Sequence, residues 1–360
     1  MKKRIYLMRP NVDSEEIKEI EKVINSKFLT EGKVTQKFEK KISSYVHSKY
    51  AIATTSATTA LHTAFEVLNV KNKRVLVSDF TFPATALAII QAGGIPVLVD
   101  VNKYRMNVTR EIIENSMKKN DEFVCPVSLF GNPLDLDFYK LKKQGFWIIE
   151  DAATNLGTKI GNKFVGELAD ISCFSFHPRK IITTGEGGMI TTNNKKLNDK
   201  MRSFKAFGKI KNNFINLGTN YKLSDIQSAV GLSQLKKLDK IIKNRKINAK
   251  IYNELLSKID YIKPQEQTPN SLHTYQSYTC IVTKPNMRNK IIKELELNNI
   301  ESQIGTYALH CLPIFQKLSQ NQDLKNSNFL FKNSISLPLH KELNEKDQER
   351  ICRIIKNVIK

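Results

Sequence analysis

Apolar residues recur along this chain in two spacings, one typical of helices and one typical of strands. In EEIKEIEKVI (15–24) the isoleucines lie at helical spacing, which predicts an amphipathic helix near the N-terminus. Short continuous apolar runs are instead typical of strands that are buried on both faces. Such runs are RVLVSDF (74–80), PVLVDV (96–101), EFVCPVSLF (122–130) and FWIIEDAA (146–153). The runs between them that read as helical are TALAIIQAG (85–93) and DFYKLKKQG (137–145).

Strands that alternate with helices imply a largely parallel sheet covered on both faces, so we predict an α/β fold. A long helix is expected over 224–256, and beyond it the pattern changes to α+β and ends in a helix. A chain of 360 residues also exceeds one typical domain. We therefore predict a large domain with an N-terminal helical arm at 1–245 and a smaller C-terminal domain at 246–360.

Composition adds constraints on location and partners. No apolar run approaches the roughly 18 residues of a membrane span, and the N-terminus lacks the apolar run of a signal peptide. The five cysteines are scattered without a CxxC motif or paired histidines. They are typical of buried thiols in a reducing compartment and indicate neither disulfides nor a metal site. We expect a cytoplasmic protein without a membrane partner or a metal.

The formal net charge of +22 has two interpretations. Basic patches bind nucleic acid, but they also occur on lysine-rich surfaces and around pockets for anionic metabolites. Much of the surplus lies in 234–250, where apolar residues recur every three or four positions beside a basic face and no aromatic residues interleave. We expect no nucleic-acid partner and favour a pocket for an anionic metabolite.

Three residues with distinct chemistry follow three of the predicted strands. Phe82 follows the strand at 74–80, Asp151 follows the run at 146–150, and Lys180 follows a strand at 171–176. In an open α/β sheet, ligands bind beyond the carboxyl ends of the strands. We therefore expect an aromatic ring, a carboxylate and an amine to meet in one crevice.

Two common enzyme classes do not fit the motifs. The glycine cluster at 185–188 lacks the third glycine of a dinucleotide-binding fingerprint, because Ile190 takes that position. No G-x-S-x-G motif is present for a serine hydrolase. The glycines instead predict a backbone that passes close to a bulky group.

The remaining set of residues suits pyridoxal 5'-phosphate. A lysine becomes a covalent catalyst when it forms a Schiff base with a carbonyl, and this cofactor also needs an acid for its ring nitrogen and a flat contact for its ring. Lys180, Asp151 and Phe82 supply these groups. The turn at 56–59 opens a helix and offers N–H groups and hydroxyls to a phosphate. Singly, Asp151 and the turn at 56–59 are more typical of helix caps and Phe82 of a core aromatic; jointly, they predict a cofactor site.

The chain closely resembles the DegT/DnrJ/EryC1/StrS family of sugar aminotransferases, vitamin B6 enzymes of aminotransferase fold type I. The combination of EDAA with FSFHPRKIITTGEGG is the most specific part of this resemblance. The matching segments are 28–62, 80–101, 127–137, 148–158, 174–193, 217–235 and 336–340.

The resemblance assigns a role to each candidate residue by its position. Lys180 corresponds to the Schiff-base lysine and proton shuttle, Asp151 to the partner of the pyridinium, and Phe82 to the ring-stacking aromatic. The family's remaining cofactor contacts fall on Thr58, Thr59, Thr154, Ser175 and Asn220. Of these, Asn220 is donated by the neighbouring subunit of a homodimer, which implies shared active sites. Tyr307 and His310 correspond to a stretch that faces the sugar.

The retained lysine implies amino transfer, because the branch that removes a hydroxyl from a keto-sugar has histidine at position 180. The substrates that the resemblance implies are L-glutamate and a keto-sugar that is linked to a nucleotide. Four positions depart from the family pattern and bear on the substrate: Ala57 for glycine, Ser128 for histidine, Thr154 for a longer polar residue and Lys222 for arginine. A non-nucleotide ketone such as a cyclitol stays an alternative, as does a non-catalytic regulatory or nucleic-acid-binding protein.

Overall fold

The computed structural model describes residues 3–318 and 323–360 and contains helices of very different lengths. The α-helices are α1 (Ser14–Ser26), α2 (Lys33–Tyr45), α3 (Ala57–Val67), α4 (Ala84–Gln91), α5 (Arg110–Ser116), α6 (Lys195–Phe204), α7 (Asp225–Leu256), α8 (Arg288–Leu297), α9 (Lys325–Asn333) and α10 (Glu345–Ile359). Short 3₁₀-helices lie at Leu136–Gln144, Leu309–Cys311 and Pro313–Leu318. Helix α1 begins in a capping box, in which the side chain of Asp13 accepts from the helix and Glu16 accepts from the N–H of Asp13.

The strands form one large sheet and several small ones. They are β1 (Tyr50–Thr54), β2 (Arg74–Ser78), β3 (Phe80–Thr81), β4 (Ile95–Val99), β5 (Phe123–Cys125), β6 (Trp147–Asp151), β7 (Lys159–Ile160), β8 (Lys163–Phe164), β9 (Ile171–Ser175), β10 (Gly188–Thr192), β11 (Lys209–Ile210), β12 (Asn213–Phe214), β13 (Ile262–Pro264), β14 (Ser271–Leu272), β15 (Tyr278–Val282), β16 (Gln303–Ile304), β17 (Tyr307–Ala308) and β18 (Ser334–Leu337).

The large sheet has seven strands in the order β1-β10-β9-β6-β5-β2-β4. Strands β4, β2, β5, β6 and β9 pair in parallel, while β10 is antiparallel to both of its neighbours. One face of this sheet packs on α3, α4 and α6, and the other packs on α2, α7 and the 3₁₀-helix at Leu136–Gln144. The architecture is the predicted α/β fold with a mostly parallel sheet.

This topology brings several chain segments to one edge of the sheet. The carboxyl ends of β6 and β9 lie there because these two strands are parallel and adjacent. Strand β10 runs the other way, so its first residue, Gly188, lies at the same edge and opposite Thr54 at the end of β1. The turn between β1 and α3 therefore lies beside the ends of β6 and β9.

The C-terminal part has its own antiparallel sheet in the order β13-β15-β18-β16. Its core also includes α8, α10 and the second half of α7. Leu238 and Ile242 of α7 pack in the core of the large sheet, while Tyr252 and Leu256 pack in the C-terminal core. A single continuous helix thus connects the two cores, and the division at residues 245 and 246 stays a prediction.

Two predicted elements differ in extent or type. The strand expected over 122–130 covers only Phe123–Cys125, because Pro126 lacks the N–H that the ladder requires. The helix expected over 137–145 is the 3₁₀-helix Leu136–Gln144. It is followed by Gly145, which has a positive φ of 91°. Within the described residues, none of the helices is both long and apolar enough to span a bilayer.

Candidate active site

A cleft of about 650 Å³ lies at the carboxyl edge of the large sheet. Its walls come from the turn before α3, the ends of β6 and β9, and the C-terminal strands β16 and β17. Of the residues predicted from the sequence, those that line it are Thr58, Phe82, Asp151, Thr154, Ser175, Lys180 and Tyr307. The expected meeting of an aromatic ring, a carboxylate and an amine in one crevice is thus what the fold produces.

Lys180 lies on a loop that is fixed by hydrogen bonds to its backbone carbonyls. The N–H of Lys180 donates to the carbonyl of His177 at 2.8 Å, and Thr183 Oγ1 donates to the carbonyl of Phe176 at 2.9 Å. From the C-terminal part, Gln276 Nε2 donates to the carbonyl of Arg179 at 2.7 Å. The loop therefore holds the Lys180 side chain at the cleft without using its amine.

The amine of Lys180 and the carboxylate of Asp151 act on each other electrostatically. Burial lowers the pKa of Lys180, while the negative charge of Asp151 raises it. Burial raises the pKa of Asp151, against hydrogen bonds from Thr85 and Ala153 and the charge of Lys180. Thr85 Oγ1 donates to Asp151 Oδ2 at 2.7 Å, and the Ala153 N–H donates to Oδ1 at 3.1 Å. These two bonds fix the orientation of the carboxylate in the cleft.

The turn at 56–58 is built as a helix N-terminus that faces the cleft. Ser56 caps α3 by accepting from the N–H of Thr59 at 3.1 Å, and Thr59 Oγ1 accepts from the N–H of Ser56 at 3.0 Å. The N–H groups of Ala57 and Thr58 have no hydrogen-bond partner within residues 3–318 and 323–360, as expected in the first turn of a helix. Gly188 packs so closely on this turn that a Cβ there would overlap the carbonyl of Ser56.

Two aromatic side chains stand at the cleft. Phe82 is 63% exposed although it is large and apolar, and its ring meets the ring of Tyr307 edge-on at 6.2 Å between centroids. Strand β17 places Tyr307 there by pairing antiparallel with β3, where Tyr307 lies opposite Thr81. An exposed ring at a cleft is available to a flat ligand, whereas a ring that only packed in the core would be covered.

Three predicted site residues do not line the cleft. The hydroxyl of Thr59 is used in the cap of α3. His310 Nδ1 lies 2.6 Å from Oδ2 of the buried Asp79, whose hydrogen bond raises the pKa of the histidine. Asn220 is exposed, and its backbone forms an isolated β-bridge with Ala206. The roles predicted for these three residues stay predictions.

Some residues that line the cleft were not predicted from the sequence. Arg179 lies beside Lys180 and donates from its guanidinium to Gln303 Oε1 at 3.0 Å. Gln276 comes from the C-terminal part and supports the Lys180 loop. The position of Arg179 next to the lysine was the one signal available, and Gln276 gave none, because its contact spans 97 residues of sequence.

A buried network lies directly behind Asp151. Glu150 is fully buried and accepts hydrogen bonds from the hydroxyls of Ser128 and Tyr139, the latter at 3.0 Å. Thr154 Oγ1 donates to the carbonyl of Ser128 at 2.7 Å. Ser128 and Thr154, two of the residues that differ from the family pattern, are therefore in contact. They link the wall of the cleft to Glu150.

Glu150 is expected to make stability depend on pH. Burial raises its pKa from 4.5 to about 7, against the hydrogen bonds from Ser128 and Tyr139. The unfolded chain ionises this group above its ordinary pKa, whereas the folded chain keeps it protonated up to about 7. The free energy of unfolding should therefore fall as pH rises from about 4.5 to about 7, by an amount on the order of 3 kcal/mol.

The variant Glu150→Gln lacks this titration, so its stability relative to wild type should increase across that pH range. Urea unfolding at several pH values measures the difference, and Glu21→Gln, which removes an exposed carboxylate of α1, controls for net charge. A difference that stays constant with pH would show that Glu150 ionises equally in both states.

The residues of the cleft fit pyridoxal phosphate. An amine with a lowered pKa, an oriented carboxylate and an exposed ring face the same space. The unpaired N–H groups of Ala57 and Thr58 lie at the positive end of α3, where a phosphate binds favourably. Ser175 also faces the cleft at the end of β9. The cleft can thus hold an aromatic aldehyde that carries a phosphate.

Known aminotransferases are similar to this chain over nearly its whole length. The model of the DegT/DnrJ/EryC1/StrS aminotransferase family matches residues 10–356. A UDP-4-amino-4,6-dideoxy-N-acetyl-beta-L-altrosamine transaminase of Campylobacter jejuni is 33% identical over 353 residues, covering 94% of this chain and 93% of that protein. A GDP-perosamine synthase of Vibrio cholerae is 30% identical over 365 residues and covers 98% of both chains. These matches confirm the resemblance that the motifs predict.

Solved structures of aminotransferases superpose on this chain over nearly its whole length. PseC, an aminotransferase of Helicobacter pylori involved in the biosynthesis of pseudoaminic acid, superposes with a TM-score of 0.93 at 28% identity, covering 99% of both chains. The PLP form of a sugar aminotransferase from Streptococcus pneumoniae superposes with a TM-score of 0.92 at 24% identity, again over 99% of both chains. The predicted aminotransferase fold is confirmed.

Proposed function

Because the chain belongs to the DegT/DnrJ/EryC1/StrS aminotransferase family, whose members depend on pyridoxal phosphate, we propose that it aminates a nucleotide-linked keto-sugar in the cytoplasm. The amino donor is L-glutamate, and the product serves amino-sugar and surface-polysaccharide biosynthesis. The observation that carries this proposal is the convergence of Lys180 and Asp151 at the ends of two adjacent parallel strands in one cleft. The named relatives act on UDP-linked or GDP-linked sugars, which supports a nucleotide-linked substrate.

The cofactor, when bound, supplies an electron sink that makes a C–H bond beside the substrate nitrogen acidic. Nζ of Lys180 would hold the cofactor, and the same amine would take up and return the proton of the donor's α-carbon. Burial favours the neutral amine, which is the form that acts as nucleophile and base. The carboxylate of Asp151 would keep the cofactor's ring nitrogen protonated, and the N–H groups of Ala57 and Thr58 would bind its phosphate.

The active protein is proposed to be a homodimer with shared sites. The segment 207–217 exposes several large apolar side chains, among them Phe214 at 72% and Leu217 at 94%. Exposed apolar patches of this kind mark contact surfaces. Asn220 lies three residues beyond this segment and is itself exposed, so its side chain is accessible to a second copy.

The test of the substrate class is amination of a panel of ketones by the pyridoxamine form of the protein. Nucleotide-linked keto-sugars should restore the absorbance of the lysine-bound cofactor, while free keto-sugars and keto-cyclitols should not. L-Glutamate should then regenerate the pyridoxamine form. Restoration by a cyclitol but by none of the nucleotide sugars would show that the alternative ketone class is the substrate.

Mixing two inactive variants tests the shared site. If Asn220 completes the cleft of the partner subunit, a heterodimer of Lys180→Ala and Asn220→Ala contains one cleft with neither lesion. Subunit exchange should then restore about half of the wild-type rate per heterodimer.

The matched control mixes Lys180→Ala with Asp151→Asn, which line the same cleft of one chain and should not rescue each other. The test requires that Asn220→Ala alone be strongly impaired and that subunits exchange. Equal rates in the two mixtures under those conditions would place Asn220 outside the partner's site.

A further inference from the structure

A second cavity, of about 200 Å³, lies between the N-terminal segment and the long helix α7, and we name it the arm cavity. It is walled by residues 9–13, by the side of α7 that includes Arg245, and by the turn at His340 and Lys341. The basic residues that line it are Arg9, Lys180, Lys237, Lys240, Arg245, His340 and Lys341, against the acidic Asp13 and Glu15. Because the basic residues outnumber the acidic ones, the lining of the arm cavity carries a net positive charge.

Arg245 is a buried cation without a carboxylate partner. Its side chain is 5% exposed and donates to the carbonyls of Tyr275 and Gln276 at 2.9 and 2.7 Å and to the sulfur of Met8 at 3.0 Å. Its Nε has no hydrogen-bond partner among the described residues, and burial alone lowers the pKa of Arg245 to about 10. Buried charges are normally paired with an opposite charge. The guanidinium of Arg245 has no such counter-ion within the described chain, which is unusual.

His340 provides a second buried polar group without a partner. It is 6% exposed, and neither ring nitrogen has a hydrogen-bond partner among the described residues. Burial is the main cause that lowers the pKa of His340, the positive charges of Arg9 and Arg245 lower it further, and the negative charge of Glu342 opposes them. In either neutral tautomer the ring keeps one N–H that can donate.

The remaining cations differ in how far protein carboxylates neutralise them. Lys237 lies 2.8 Å from both Asp13 and Glu16 and is therefore compensated. Lys240, one turn further along α7, makes no ion pair within residues 3–318 and 323–360 and is exposed at the edge of the cavity. Its charge therefore adds to that of Arg245.

We propose that the arm cavity binds a small oxyanion, with Arg245 and His340 as buried donors and Lys240 as a cation at its mouth. The volume restricts the ligand, because pockets for larger organic molecules measure roughly 300–1,000 Å³. Phosphate and the carboxylate of a small diacid share the required chemistry. The arm cavity is separate from the turn at 56–58, which lines the active-site cleft. Lys180 lines both cavities.

Calorimetric titration of the cofactor-loaded protein tests the proposal, using inorganic phosphate in one arm and glutarate, an unreactive diacid, in the other. Loading with pyridoxal phosphate keeps the titrated phosphate out of the turn at 56–58. Saturable binding of phosphate alone identifies free phosphate as the ligand, and binding of glutarate alone identifies a carboxylate. Absence of saturable binding in both arms overturns the proposal.

Variants locate the bound anion. Arg245→Gln and His340→Phe should each weaken binding by about tenfold or more, since each removes a buried donor to an anion. Lys240→Gln should weaken it by about threefold, because exposed charges are screened. The matched control is Lys236→Gln, which makes the same charge change on the same helix outside the cavity and should have no effect.

If Arg245→Gln does not fold, His340→Phe and the two lysine variants decide the question. Equal affinities in Lys240→Gln and Lys236→Gln, together with unchanged affinity in His340→Phe, would overturn the proposal. That result would place the binding in the active-site cleft or on the general surface.

Discussion

Lys180→Ala is expected to lower the turnover rate by ~10⁴-fold or more, because one amine both anchors the cofactor and moves the proton. The fold should survive, since the loop is fixed by backbone bonds to Phe176, His177 and Arg179 that do not involve the lysine side chain. Steady-state turnover with L-glutamate and a keto-sugar measures the loss, and circular dichroism checks the fold.

A second variant separates covalent chemistry from charge. Lys180→Arg keeps a cation beside Asp151 but cannot bond to the cofactor, so it should be as inactive as the alanine variant. Borohydride treatment of wild type should fix the cofactor to one peptide, the one that contains Lys180. Recovery of the cofactor on another peptide would contradict the central assignment.

The helices and the inner strands could be predicted because their patterns are local. The long helix expected over 224–256 is observed as α7, Asp225–Leu256, and Ser224 caps it. The apolar runs at 74–80 and 146–153 contain β2 and β6, and they end where polar residues reach the edge of the sheet. For such elements, the spacing of apolar residues along the chain predicts both the type of element and the face that is buried.

The direction of β10 could not be predicted, because a strand pattern is the same in both directions and no helix lies between β9 and β10. The run MITTN (189–193) is typical of a strand, but nothing in it shows that β10 is antiparallel to β9. That reversal brings Gly188 against the turn at 56–58. The short strand β1, Tyr50–Thr54, was not predicted at all.

Within the site, sequence reasoning found residues whose chemistry is distinctive and missed those whose role depends on distant contacts. Lys180 and Asp151 follow recognisable strands, so their convergence follows from a parallel sheet. The contact between Ser128 and Glu150 joins residues 22 positions apart that only the packing of neighbouring strands brings together. The pairing of His310 with Asp79 spans 231 positions and could not be predicted from either residue alone.

Asp151→Asn is expected to lower turnover by about 10²–10³-fold, the usual loss when one preorganised electrostatic group is removed from an active site. The amide is close in size to the carboxylate and can still bond to Thr85 and Ala153, so the fold should be retained. A neutral amide no longer favours a proton on the ring nitrogen, which weakens the electron sink. Stability should not fall by much, because burial already disfavours the charge of Asp151.

Asp170→Asn is the matched control for this prediction. Asp170 precedes β9 at the opposite end of the same strands, where its Oδ2 accepts from the N–H of Ile148 at 2.9 Å and Oδ1 lies 3.1 Å from Lys142. The same substitution there removes one carboxylate charge without approaching the cleft, so turnover should stay near that of wild type. If Asp151→Asn also turned over at the wild-type rate, Asp151 would only cap the turn after β6, and its assignment to the ring nitrogen would be wrong.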